Sequence, residues 1–133
     1  MKLIMSKWTK EKLEAAGYIL ENAQITSVDL TMEDHGCFTL CMTIEWEACG
    51  CVYGGYSLGN GYLDADDDYF KGYKEGIEFI MKLMNVIGVS KFNSLKGKYV
   101  RVATKGLGYP IKIIGNIISD KWFDPEEIWE KDE

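Results

Sequence analysis

Apolar and polar residues alternate most cleanly from Cys37 to Trp46. Phe38, Leu40, Met42, Ile44 and Trp46 fall on one side, and Cys37, Thr39, Cys41, Thr43 and Glu45 on the other. A period of two is the mark of a half-buried β-strand. Ala23 to Met32 reads as its neighbour, joined through Glu33-Asp34-His35-Gly36, a turn in which glycine supplies positive φ. After Ala48 to Gly50 the chain returns as a hairpin partner, Cys51 to Leu58. Gly54-Gly55 inside that partner signals a bulge or a close approach to the backbone.

The period then changes. Gly59 to Asp68 reads as a loop, and from Tyr69 to Ile87 the residues Phe70, Tyr73, Ile77, Ile80, Met84 and Ile87 step by three and four. That stripe predicts one long amphipathic helix, preceded by aspartates that suit its dipole and stopped by Gly88. Ser90 to Leu95 adds one helical turn, and Lys98 to Lys105 and Ile111 to Ile118 form a second pair of strands. Lys7 to Ala16 reads as a short helix with Ser6 as N-cap and Gly17 as stop, an appendage (residues 1–17) on a core of residues 18–133. Asp124-Pro125-Glu126-Glu127 starts a C-terminal helix. The expectation is a single α+β domain: an antiparallel sheet of about five strands packed against one long helix, with short N- and C-terminal helices.

Composition narrows this. The 133 residues are 47% hydrophobic and 27% charged, which suits one globular domain. No apolar run reaches the roughly 18 residues that span a bilayer. Met1 to Lys12 has no signal-peptide stretch, so the expected location is a cytosol with the four cysteines reduced. The net charge of −6 disfavours binding to duplex nucleic acid. Yet Phe79 to Ser119 holds no acid and carries Lys82, Lys91, Lys96, Lys98, Arg101, Lys105 and Lys112, a local charge of +7. Such a segment suits a phosphate-bearing small molecule or the acidic part of a sister subunit.

Cys37, Cys41, Cys49 and Cys51 lack the paired knuckle spacing of a zinc site and read as structural thiols. Asp64 to Asp68 with Glu75 imitates a calcium loop, but Tyr69 stands where that loop needs glycine, so a solvated helix cap is favoured. His35, the sole histidine, has no nucleophile motif near it, and Glu45 with Glu47 reads as exposed strand carboxylates. There is no P-loop and no GxGxxG. The residues therefore imply no enzyme, no catalytic set, no cofactor and no metal. Gly72 and Gly76, four apart on the expected helix, suggest a self-associating face, because two helical glycines cost about 1 kcal/mol each relative to alanine.

Arg101 is the sole arginine. A guanidinium fork matches phosphate and stacks on bases. With Phe92, Asn93, Lys105, Lys112 and Asn116 it makes a candidate ligand-binding set of cation, ring and amide, as an adenine nucleotide requires. A surface arginine held by a structural carboxylate is the competing account.

Several stretches resemble one family: Glu33-Asp34-His35-Gly36, Gly54-Gly55-Tyr56, Gly76 to Val89, Leu95 to Val102 and Ile114 to Phe123. From about Leu20 onward, in this order, the chain resembles the phage anti-Thoeris nucleotide sponges, the first-described type. The helix at Lys7 to Ala16 lies outside the resemblance. The resemblance implies a protein that binds cyclic ADP-ribose isomers made by bacterial TIR-domain enzymes and holds them uncleaved. It also implies pockets between the protomers of a homodimer or larger assembly, with separate sites for cyclic oligonucleotides in some members. Two other classes are weighed: an acidic decoy that binds a defence protein directly, and a hydrolase that destroys the signal. The +7 segment argues against the first, and the lack of a catalytic cluster against the second.

Overall fold

The computed structural model describes residues 6–34, 36–47, 49–60 and 71–129. The fold is α+β. Among the described residues one antiparallel sheet of seven strands runs in the order β4-β3-β2-β1-β5-β6-β7. Its organiser is β1, Ile19–Asp34, which is 16 residues long. The first part of β1 pairs with β5, Tyr99–Thr104, and the rest pairs with β2, Cys37–Trp46. Outside β2 lie β3, Cys49–Asn60, and β4, Lys71–Gly72, and outside β5 lie β6, Ile114–Asn116, and β7, Trp122–Phe123. The strands beyond the expected five are the two-residue β4 and β7, too short to show a period.

Gly54 and Gly55 do form a bulge. Both have positive φ, and the β2–β3 register slips between Thr39 and Cys41. A Cβ on Gly54 would lie 2.2 Å from the Leu40 carbonyl oxygen, so only glycine allows the strands to close here.

The helices are α1, Lys10–Ala15, α2, Lys74–Ile87, and α3, Glu126–Trp129. The expected helical turn after α2 is a 3-10 helix at Phe92–Leu95. Asp124 caps α3 as expected, accepting from the Glu126 amide at 3.1 Å. For α1 the cap is Thr9, whose hydroxyl accepts from the Lys12 amide; Ser6 instead accepts from the Trp8 amide.

Two expectations for the long helix are corrected. It begins at Lys74, so Gly72 lies in β4 and not on the helix. Its buried side is Gly76, Phe79, Leu83, Val86 and Ile87, whereas Ile77 and Met81 are 60% and 63% exposed. The cause is Gly76, where a Cβ would lie 2.2 Å from the Leu58 carbonyl oxygen. Close contact between β3 and α2 turns this side of the helix inward and offsets the low helix propensity of glycine. Gly76 thus serves packing inside the fold and not a self-associating helix face. Phe79 is fully buried and meets Phe123 edge-on, with ring centroids 5.0 Å apart.

On β5, Val100 and Val102 face α2 and the main core, so Arg101 and Ala103 face the other side. There a second cluster joins Ala103, Ile113 and Trp122 to Leu13 of α1, which is wholly buried. The N-terminal helix is thereby integral to the packed fold. Trp8 extends the cluster and donates through Nε1 to the buried Asp124 at 2.9 Å.

Candidate functional site

The register of the β1–β5 ladder sets Asn22 opposite Arg101. Arg101 projects to the side that α1 borders and is half-buried. Its Nε donates to the Asn116 carbonyl at 2.8 Å and its Nη2 to the Ser119 carbonyl at 2.7 Å. The guanidinium sits over the Trp122 ring, 4.7 Å from its centroid. Trp122 is held in turn by Nε1–H donation to Asp120 at 2.6 Å, and Asp120 also accepts from the Lys10 amide at 2.7 Å. That indole bond, with the Lys10 amide and the Arg101 charge in support, holds the Asp120 carboxyl below its ordinary value. Arg101 therefore clasps the 116–119 loop while still lining an open groove of about 450 Å³ with Lys10, Glu14, Tyr18, Ile19, Leu20 and Asn22.

Tyr18 forms the end of this groove. Its hydroxyl shares a 3.1 Å hydrogen bond with that of Tyr109, and its ring meets the Trp8 and Tyr109 rings edge-on. The shared bond, with burial, pushes the Tyr18 phenol up to about 12. The Lys105 ammonium lies 4.6 Å from the centroid of the same ring. Lys10, Arg101 and Lys105 thus gather around the start of β1, with Glu14 the single acid among the groove's lining.

The six residues singled out in the sequence do not converge on one point. Arg101 and Lys105 border this region from two sides. Lys112 is paired with Glu126 of α3 at 2.8 Å, and that bond raises its ammonium above the ordinary value. Asn116 is a structural hub: its Nδ2 donates to the Val86 and Ile87 carbonyls at the end of α2, and its Oδ1 accepts from the Ile118 and Ser119 amides. Phe92 packs on the main core and Asn93 is exposed in the 3-10 helix before β5. Tyr99 and Thr104 mark the two ends of β5, about 17 Å apart at a strand's rise of about 3.3 Å per residue, with Phe92 and Asn93 beyond the Tyr99 end. Lys10, Asn22 and Tyr18 were missed, because only the strand register and the docking of α1 bring them beside Arg101.

The cysteines divide between two surfaces. Cys37 and Cys41 share the β2 face that carries Thr43, whereas Cys51 packs on the main core and pairs with Ile44. Burial raises the Cys51 thiol. No group of three or more histidine, cysteine, aspartate or glutamate side chains converges among the described residues. The Asp64–Asp68 loop, Tyr69, Phe70 and His35 lie outside the described residues. A crevice between Trp8, Lys82, Asp120 and Trp122 measures about 140 Å³, too small for a nucleotide by the usual scale of ligand sites. No helix among the described residues is long and apolar enough to cross a membrane.

Comparison with known proteins adds no relative: no family model, no curated protein and no solved structure matches this chain.

Proposed function

We propose that this protein binds a small cyclic ADP-ribose-type nucleotide in the groove beside Tyr18 and sequesters it uncleaved, as a phage protein that blocks Thoeris signalling in the bacterial cytoplasm. The observation that carries this reading is the placement of Lys10, Arg101 and Asn22 along one groove of about 450 Å³, with the Tyr18 ring at its end and Lys105 on that ring. The two cations suit a pyrophosphate, the Asn22 amide suits the edge of a base, and the Glu14 carboxylate suits ribose hydroxyls. Support also comes from the resemblance of the segments from Glu33 to Phe123 to the anti-Thoeris sponges.

The proposal includes a homodimer that closes this groove. Tyr99, two residues before Arg101 on the same strand face, is 57% exposed, and Ile118, in the loop Arg101 clasps, is 85% exposed. A second copy laid on this side of β1 and β5 would bury both and complete the pocket.

The test is to mix the protein with cyclic ADP-ribose, isolate the complex, denature it and analyse the released small molecule by mass spectrometry. Intact ligand supports sequestration. Recovery of linear ADP-ribose would make the protein a hydrolase, and recovery of no ligand would favour the acidic decoy that binds a defence protein.

A further inference from the structure

A second groove lies on the other side of Ile19, with opposite chemistry. The register that pairs Gln24 with Glu45 carries the end of β2 past β1 toward Glu21. There Trp46 and Glu47 at the end of β2, Cys49 to Cys51 at the start of β3, the start of β1 and the 104–110 loop line a groove of about 600 Å³. Trp46 and Tyr109 contribute aromatic walls, and Ile19, Leu107 and Pro110 contribute aliphatic ones. Leu107 is 91% exposed, so the rim is apolar and open. The charged side chains that line it are the carboxylates of Glu21 and Glu47, and no lysine or arginine lines it. Neither carboxylate has a hydrogen-bond or ion-pair partner among the described residues.

A groove of aromatic and aliphatic walls with unneutralised carboxylates attracts a cation that also has apolar surface. The π faces of Trp46 and Tyr109 favour an ammonium, and the methylenes between two ammonium groups suit Leu107 and Pro110. Two carboxylates on different elements call for two charges on one flexible chain. A metal ion fits less well, since few oxygen ligands converge and half the wall is apolar.

We infer that this groove is a binding site for a linear alkyl-diammonium of the polyamine kind. Glu21 and Glu47 receive its ammonium ends, and Trp46 and Tyr109 receive the chain between them. The site is distinct from the nucleotide groove: its charge has the opposite sign, and the two sets of lining residues share only Ile19 and touch through the Tyr18–Tyr109 pair.

The experiment is titration calorimetry of the full chain with putrescine (1,4-diaminobutane), with tryptophan fluorescence as a second readout and circular dichroism to confirm folding. The expected result is saturable one-to-one binding with a fluorescence change. Glu21→Gln/Glu47→Gln should weaken it at least tenfold, and Trp46→Phe should retain binding but lose most of the fluorescence change. A charge-matched variant, Glu11→Gln/Glu33→Gln, removes the same charge from exposed positions elsewhere and should bind as the parent does. If both double variants weaken binding equally, the dication is responding only to the net charge, and the inference fails. It fails equally if putrescine does not saturate the parent protein, or if the Glu21/Glu47 variant binds unchanged. Nucleotide binding measured on the same Glu21/Glu47 variant should stay at the parental level, which separates this site from the proposed function.

Discussion

Arg101 sits over the indole of Trp122, its guanidinium carbon 4.7 Å from the ring centroid, and from there its Nε and Nη2 reach the Asn116 and Ser119 carbonyls. One side chain therefore joins β5, β7 and the loop after β6, and does so at the edge of the groove. Arg101→Ala would lose the stacking and leave two carbonyls without that donor. The expected cost is about 2 kcal/mol in urea denaturation, the size of hydrogen bonds that involve a charged group. Arg101→Lys should recover only part, because an ammonium cannot reproduce the fork or the stacked plane. An unchanged midpoint for Arg101→Ala would contradict the clasp.

The two glycines Gly72 and Gly76 should respond in opposite ways to alanine. At Gly76 the new Cβ would lie 2.2 Å from the Leu58 carbonyl oxygen, whereas at Gly72 it meets nothing within 4 Å. Gly76→Ala is expected to cost at least the 1–3 kcal/mol usual for overpacking, roughly, while Gly72→Ala should stay near the parent. Chemical denaturation of the pair checks this. Equal effects would mean that close packing of β3 against α2 is not what requires glycine.

Stability should fall at high pH through Tyr18. Its phenol is pushed up to about 12 in the folded chain, chiefly by the bond to Tyr109, against about 10 when unfolded. A group raised on folding contributes fully below the unfolded value and loses that contribution as pH climbs through the folded one. The loss should therefore occur between about pH 10 and 12. Tyr109→Phe should bring the Tyr18 titration, followed by tyrosinate absorbance, back toward its ordinary range. An unmoved titration would show that the hydroxyl pair is not its cause.

Asp120 gives the converse at low pH. Its carboxyl is held below the ordinary value, first by the Trp122 indole N–H. A group lowered on folding stabilises above its unfolded value and loses that stabilisation as pH falls through the folded one. Asp120→Asn should flatten the acid limb of the stability profile, and loosening of α1 should be visible as faster amide exchange at Leu13. An acid limb identical to the parent's would place the acid sensitivity elsewhere.

Much of the sheet was legible because β2 alternates strictly and its neighbours end in turn residues. The bulge at Gly54-Gly55 and the cap at Asp124 were legible for the same local reason. The buried side of α2 was not, since Gly76 reads as a weak helix former until β3 is seen against it. The site was legible only in part. Arg101 on β5 and Lys105 just beyond its end carry the right chemistry, but Asn22 becomes a neighbour only through the register that also pairs Leu20 with Ala103. Lys10 and Tyr18 arrive through a helix docked by Leu13 and Asp120, contacts between residues far apart in the chain. Asn116 misled because its amide is consumed at the end of α2, which composition cannot reveal.

The most direct test is calorimetry of cyclic ADP-ribose binding to the parent and to Lys10→Glu. The Lys10 side chain is exposed, and its partner Asp120 is bound by the backbone amide, so folding should be kept. The expected result is saturable binding to the parent and a loss of roughly ten- to a hundredfold in Lys10→Glu, as befits a lost charged contact of about 1.5–3 kcal/mol. Equal affinity in the two proteins, or no heat with the parent, would contradict nucleotide binding in the groove beside Tyr18.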